Sequence, residues 1–124
     1  MADKKVLIVE DDKFLREMLS QKLIEQGIHV EAAVDGKNAV EKLKSYVPDV
    51  MLLDLLLPDM DGFHVLQNIK DDPALSSIIT LVLSNLDKVE DVKKAKELGA
   101  KDFMIKSNYT STEIVEKTKE NLGM

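Results

Sequence analysis

The sequence has no cysteine. Disulfides, thiolate metal centres and cysteine nucleophiles are therefore excluded. Their absence suits a reducing compartment, and the cytoplasm is the expected location. No apolar run approaches the ~20 residues that a membrane helix requires. Met1-Ala2-Asp3-Lys4-Lys5 leads straight into the short apolar run Val6-Leu7-Ile8-Val9, too brief for a signal-peptide core. No cluster of Lys and Arg is longer than a pair, and 17 basic against 23 acidic residues leave a net charge of −6. Neither direct nucleic-acid binding nor an anionic membrane surface is expected of such a chain. Internal repeats, linkers and low-complexity tracts are also missing.

What is present is an alternation. At 124 residues the chain has the size of one domain. Its length suffices to bury a core without a metal or disulfide staple. Three runs are almost continuously apolar: Val6 to Val9, Val50-Met51-Leu52-Leu53 and Ile78 to Leu83. Unbroken short runs suit strands covered on both faces of a parallel sheet. Two weaker runs, Val30 to Val34 and Phe103 to Ile105, predict edge strands. Glu31 beside the first suits an edge.

Helical stripes separate the strands. The first is Leu15, Leu19 and Leu23 with Phe14 and Met18, closed by Gly27. The second is Val40, Leu43 and Val47, opened by Asp35-Gly36. Phe63, Leu66 and Ile69 form the third, which ends before Pro73. Val89, Val92, Ala95 and Leu98 form the fourth, with Asp87 and Glu90 as a capping box and Gly99 as its stop. Ile114, Val115, Thr118 and Leu122 form the fifth, with a second box at Thr110 and Glu113. The order is β-α five times. It predicts a doubly wound α/β sheet of the flavodoxin-like kind, strand order 2-1-3-4-5, with right-handed crossovers. The fifth helix runs to the end of the chain, so no effector domain is expected after residues 1–124.

Ligands of such sheets bind beyond the carboxyl ends of the strands. Those ends carry Glu10-Asp11-Asp12, Asp54, Ser84-Asn85 and Lys106-Ser107. Glu10, Asp11 and Asp54 would bring three negative charges together, offset by Lys106 to −2. Two carboxylates ~5 Å apart repel by ~3 kcal/mol at an effective dielectric of ~20. A proton, a lysine or a divalent cation must offset this. An oxygen-only donor set suits Mg²⁺. With the ion bound, the cluster becomes able to accept a phosphoryl anion. Asp54, at the end of a buried strand, is then the natural carboxylate nucleophile. Ser84 is placed to hydrogen-bond a phosphoryl oxygen.

At these residues the sequence resembles the receiver domain of two-component response regulators, of the single-domain chemotaxis-regulator kind. The resemblance is carried by Leu7-Ile8-Val9-Glu10-Asp11-Asp12, by Leu52-Leu53-Asp54-Leu55-Leu56-Leu57-Pro58-Asp59-Met60-Asp61-Gly62, by Val82-Leu83-Ser84 and by Gly99 to Lys106. It implies that Asp54 is the phosphorylated aspartate and that Glu10 and Asp11 hold Mg²⁺. Asp12 either begins the first helix or counts among the acidic pair. The resemblance further implies that the Leu56 carbonyl is a metal ligand and that Ser84 turns toward the phosphoryl group. Lys106 would pair with a phosphoryl oxygen, and Phe103 would move inward as a switch. The surface made by the fourth helix, fifth strand and fifth helix would then change for a downstream protein target. The phosphodonor would be a sensor histidine kinase or a phosphotransfer protein. The chain would be a monomer or a phosphorylation-promoted dimer, and not an enzyme beyond its own phosphorylation and dephosphorylation.

Three positions depart from the family pattern: Ser107 stands where proline is usual, Asn85 where a small residue is usual, and Phe103 where tyrosine is common. Ser107 and Asn85 also fit a second reading, a degenerate receiver acting as a constitutive interaction module. A flavin-binding domain would need a hydroxyl- and glycine-rich loop where Glu10 to Asp12 stand. A dehalogenase-type phosphatase would need its nucleophile after the first strand. Leu56 and Leu86, two residues beyond Asp54 and Ser84, cannot orient an attacking water, so slow self-dephosphorylation is expected. Asp59 and Asp61 read as turn residues, His29 and His64 as surface residues, and the methionines as core filling. The charged run Lys88 to Glu97 reads as a solvated helix face or a partner surface. Tyr109 is expected to be an exposed contact.

Overall fold

The computed structural model describes residues 3–124. Five parallel strands are ordered β2-β1-β3-β4-β5: β1 Lys5–Val9, β2 His29–Ala33, β3 Val50–Leu53, β4 Ile79–Ser84 and β5 Asp102–Ile105. Five helices connect or follow them: α1 Lys13–Glu25, α2 Gly36–Leu43, α3 Gly62–Asp71, α4 Val89–Glu97 and α5 Ser111–Asn121. The expected topology is the observed one.

Why the central strands read as unbroken apolar runs is now plain. Successive side chains of a strand point to opposite faces, and both faces are covered. Leu7, Val9, Met51, Leu53 and Val82 join the core beneath α2, α3 and α4. Val6, Ile8, Val50, Leu52, Leu81, Leu83 and Met104 join the core beneath α1 and α5. The polar Glu31 lies on β2, which is an edge strand.

Several helix expectations need correction. Phe14 is 76% exposed and lies outside the first stripe. It is one residue, or ~100° of helix rotation, from Leu15, in the first turn. Val47 is exposed and outside α2, which stops at Leu43; Gly36, Ala39 and Leu43 are the buried positions of α2. Val89 is also exposed, at the first position of α4. The Asp87–Glu90 box does not form. The N-cap is Lys88, whose side chain has no acceptor to offer, and no side chain caps α4. The Thr110–Glu113 box is present in both directions. Tyr109 is half-buried and packs against the α1/α5 core rather than standing free. Met51 and Met104 fill the core, whereas Met124 is exposed; Met1 lies outside the described residues.

Candidate functional site

The parity of the strands places the site. Ile8 pairs with Leu52, so two residues further on Glu10 stands beside Asp54, on the α1/α5 side. The ladder persists this far: the Asp54 N–H donates to the Val9 carbonyl and the Glu10 N–H to that of Ala33, both at 3.0 Å. Met104 faces the same side as Leu52, so Lys106 leaves β5 with matching parity. Its four-carbon stem spans the distance to β3. Lys106 Nζ donates to Asp54 Oδ2 at 2.8 Å and lies 2.7 Å from Glu10 Oε1.

Glu10 and Asp54 are buried, at 2% and 4% exposure, while Asp11 is exposed. One carboxylate oxygen from each of the three lies within 4.8 Å of the other two. Asp54 is held by both oxygens, because its Oδ1 accepts the Leu56 N–H at 3.0 Å. Glu10 Oε2 accepts the Asp12 N–H at 3.1 Å. Glu10 Oε1 is buried and, though close to Lys106, has no partner in hydrogen-bonding geometry. A buried carboxylate oxygen with an open lone pair, beside two further carboxylates, is a donor set that fits a hard divalent cation.

The electrostatics follow from this crowding. Burial pushes Glu10 up from its ordinary 4.5 to about 6, and the Asp54 charge adds to the rise. The Lys106 ammonium and the Asp12 N–H bond oppose it. Burial on its own would lower Lys106. The hydrogen bond to Asp54 and the charges of Asp54 and Glu10 outweigh it and hold the ammonium above the usual lysine value.

The other expected residues divide. Asp12 is the N-cap of α1, its side chain accepting the Leu15 N–H, so its carboxylate is engaged away from the cluster. Leu56 is exposed as a side chain and reaches the site through its backbone. Ser84 is fully buried at the end of β4; its hydroxyl accepts a long 3.4 Å bond from the Leu86 N–H. Val82 pairs with Phe103 and Ser84 with Ile105, so the Ser84 and Phe103 side chains share the α2–α4 side of the sheet. Phe103 is half-buried there. His29 and His64 are exposed, as expected. Asp61 caps α3.

Three positioning features are absent from the sequence reading. Asp59 accepts the Gly36 and Lys37 N–H groups, both at 2.9 Å, and so ties the loop after Asp54 to the start of α2. Its carboxyl is held below the ordinary value, the hydrogen bonds from Gly36, Lys37 and Met60 outweighing desolvation. A Cβ on Gly62 would lie 2.6 Å from the Asp54 carbonyl oxygen, so only glycine lets α3 start against the chain that leaves β3. Arg16 reaches back from α1 to the carbonyls of Glu10 and Asp11. The Asp-Gly pair at 61–62 was a visible signal. The partners of Asp59 and Arg16 had none.

Comparison with known proteins agrees with this geometry. The family model described as response regulator receiver domain matches residues 6–119. The chain is 35% identical to the chemotaxis protein CheY of Bacillus subtilis over 96% of its own length and 98% of that protein's. It is 37% identical to the probable transcriptional regulator ycf27 of Guillardia theta over 83% of its length, but spans only 39% of that protein. The high-resolution structure of the chemotaxis response regulator CheY4 of Vibrio cholerae superposes with a TM-score of 0.88 at 26% identity, covering 97% of this chain and 99% of that one. The chain therefore belongs to the response regulator receiver domains, the phospho-accepting switches of two-component systems.

Proposed function

We propose that Asp54 is the residue that accepts the phosphoryl group, and that Glu10, Asp11, Asp54 and the Leu56 carbonyl hold Mg²⁺. The observation that carries this reading is the juxtaposition of three carboxylates within 4.8 Å of one another, two of them sharing Lys106. In the transfer, an Asp54 oxygen forms a bond to phosphorus. The bond from phosphorus to the donor's imidazole nitrogen breaks, and that nitrogen takes up a proton. The product is an acyl phosphate. When bound, Mg²⁺ supplies charge neutralisation to the phosphoryl oxygens. The chain's own contributions are orientation and charge. The Leu56 N–H and Lys106 fix one Asp54 oxygen each, and Lys106 is positioned to follow the new negative charge.

The donor is a sensor histidine kinase or a phosphotransfer protein, and the acyl phosphate's formation and slow loss are the chain's only chemistry. Ser84, whose hydroxyl makes one long hydrogen bond among the described residues, turns toward the phosphoryl group. The space it vacates lies on the side of the sheet occupied by Phe103. Inward packing of Phe103 then alters the surface of α4, β5 and α5. Two features support a movable α4: its start lacks a side-chain cap, and Val89 stands exposed beside Val92 on the same helix. A protein partner reads this surface in the cytoplasm.

The test is intact mass after incubation with Mg²⁺ and a small phosphodonor such as acetyl phosphate. One phosphoryl adduct, lost in Asp54→Asn, is expected. No adduct would favour a constitutive interaction module instead, and one that survives Asp54→Asn would place the acceptor at another residue.

A further inference from the structure

Between the end of β1 and the start of α1 the backbone leaves both regular structures. The Asp12 carbonyl already belongs to the helix and accepts the Arg16 N–H at 2.9 Å. Among the described residues the carbonyls of Glu10 and Asp11 accept no backbone N–H. Their partner is one atom. Arg16 Nη1 donates to the Glu10 carbonyl at 2.9 Å and to the Asp11 carbonyl at 3.2 Å. Among the described residues no carboxylate lies within 4.0 Å of this guanidinium. Arg16 is half-buried, with its own carbonyl taken by the Ser20 hydroxyl at 2.7 Å.

We propose that Arg16 is a positioning residue for the cation site. By clamping two successive carbonyls it fixes the peptide planes of Glu10 and Asp11, and hence the directions of the two carboxylates. This inference rests on the reading that Glu10 and Asp11 hold Mg²⁺. Glu10 is fixed by other means as well, through Lys106 and the Asp12 N–H. Asp11 is not: its side chain is exposed and appears in no hydrogen bond or ion pair among the described residues. Its direction is set by the backbone alone, and Arg16 sets the backbone.

Charge and position make opposite predictions here. If Arg16 acted only as a nearby cation, removing it would relieve repulsion and tighten Mg²⁺ binding. If it acts by holding the carbonyls, removing it weakens binding. Loss of a group that orients metal ligands costs ~10–100-fold in affinity, and about tenfold is expected for Arg16→Met. Arg16→Lys keeps the charge but replaces the planar fork by a flexible point donor, so it restores affinity only in part.

The experiment is a Mg²⁺ titration of the full chain followed by backbone NMR, with wild type, Arg16→Met and Arg16→Lys in parallel. The carbonyl ¹³C shifts of Glu10 and Asp11 are read in the metal-free proteins. Weaker binding in both variants, with those two carbonyl shifts displaced, is expected. Unchanged or tighter Mg²⁺ binding in Arg16→Met overturns the inference and leaves the site reading intact. If Arg16→Met does not fold, wild-type affinity in Arg16→Lys overturns it equally. Failure of the wild type to bind Mg²⁺ sinks the site reading, and this inference with it.

Discussion

Glu10 and Asp54 stand side by side on adjacent strands, two residues past the Ile8–Leu52 pair, and share the single ammonium of Lys106. Both carboxylates are buried. The pair therefore depends on that lysine, and on protons, in ways that can be measured.

The first consequence is a pH dependence with an unusual sign. Glu10 sits at about 6 in the folded chain against an ordinary 4.5. The folded state thus binds the proton more tightly than the unfolded one. Its contribution to stability grows as pH falls from 6 to 4.5, and is a cost above 6. A shift of this size corresponds to about 2 kcal/mol. Urea unfolding of metal-free protein at pH 7 and pH 5 should show Glu10→Gln more stable than wild type at pH 7, with the advantage shrinking at pH 5. Mg²⁺ binding, which needs the ionised form, should weaken below pH 6.

Lys106→Met should be costly. Breaking a buried pair by removing one partner costs ~3–5 kcal/mol, and here two carboxylates lose their partner. The loss should be largest in metal-free protein at pH 7 and smaller with millimolar Mg²⁺ present. Since the lysine is held above its ordinary 10.5, the wild type keeps this contribution below that pH. It loses it as pH rises through the folded value. Unfolding curves of both proteins, with and without Mg²⁺, check each point.

Two glycines of the same region should respond differently to alanine. At Gly36 a Cβ meets the flexible side chain of Met60, which can rotate away. The change should cost under ~1 kcal/mol, because alanine also favours the helix. At Gly62 it meets the Asp54 carbonyl oxygen and the Leu55 Cα at 2.6 and 2.7 Å. Backbone cannot step aside so cheaply, and ~3 kcal/mol is expected. Equal unfolding free energies for the two variants would contradict this.

Leu56→Asn should shorten the acyl-phosphate lifetime. The Leu56 side chain is exposed while its N–H is bonded to Asp54 Oδ1. A carboxamide there would stand beside Asp54 and orient a water. Decay of the phosphorylated species, followed by mass, should be several-fold faster in the variant. An unchanged rate would mean that side-chain polarity at this position does not control hydrolysis.

How much of this could be read beforehand depended on distance along the chain. The strands, the fold and the meeting of Glu10, Asp54 and Lys106 followed from apolar runs and from the residues that end them. Parity then does the rest, since adjacent strand ends must meet. Helix starts were harder. Thr110 and Glu113 cap α5 as expected, but Asp87 does not cap α4, because the helix begins one residue later, at Lys88's cap. The choice between neighbouring frames is made by packing, which a single sequence does not display. The Asp59 bond to α2 and the Arg16 bond to β1's end join residues by side-chain reach to backbone. Any exposed acid or arginine offers that reach, so nothing in the letters marks these two.

The alternation of core faces along β1 and β3 has one last consequence. A strand slipped by a single residue would exchange its two apolar sets between the two cores, each packed for side chains of other shapes. The same slip would aim Asp54 at α2 and α3 and bury Leu53 or Leu55 beside Glu10. The hydrophobic core thus acts as the ruler of the charged site. A misregistered sheet would lose its close packing and its chemistry together, and folding quality alone would serve as the site's proofreader.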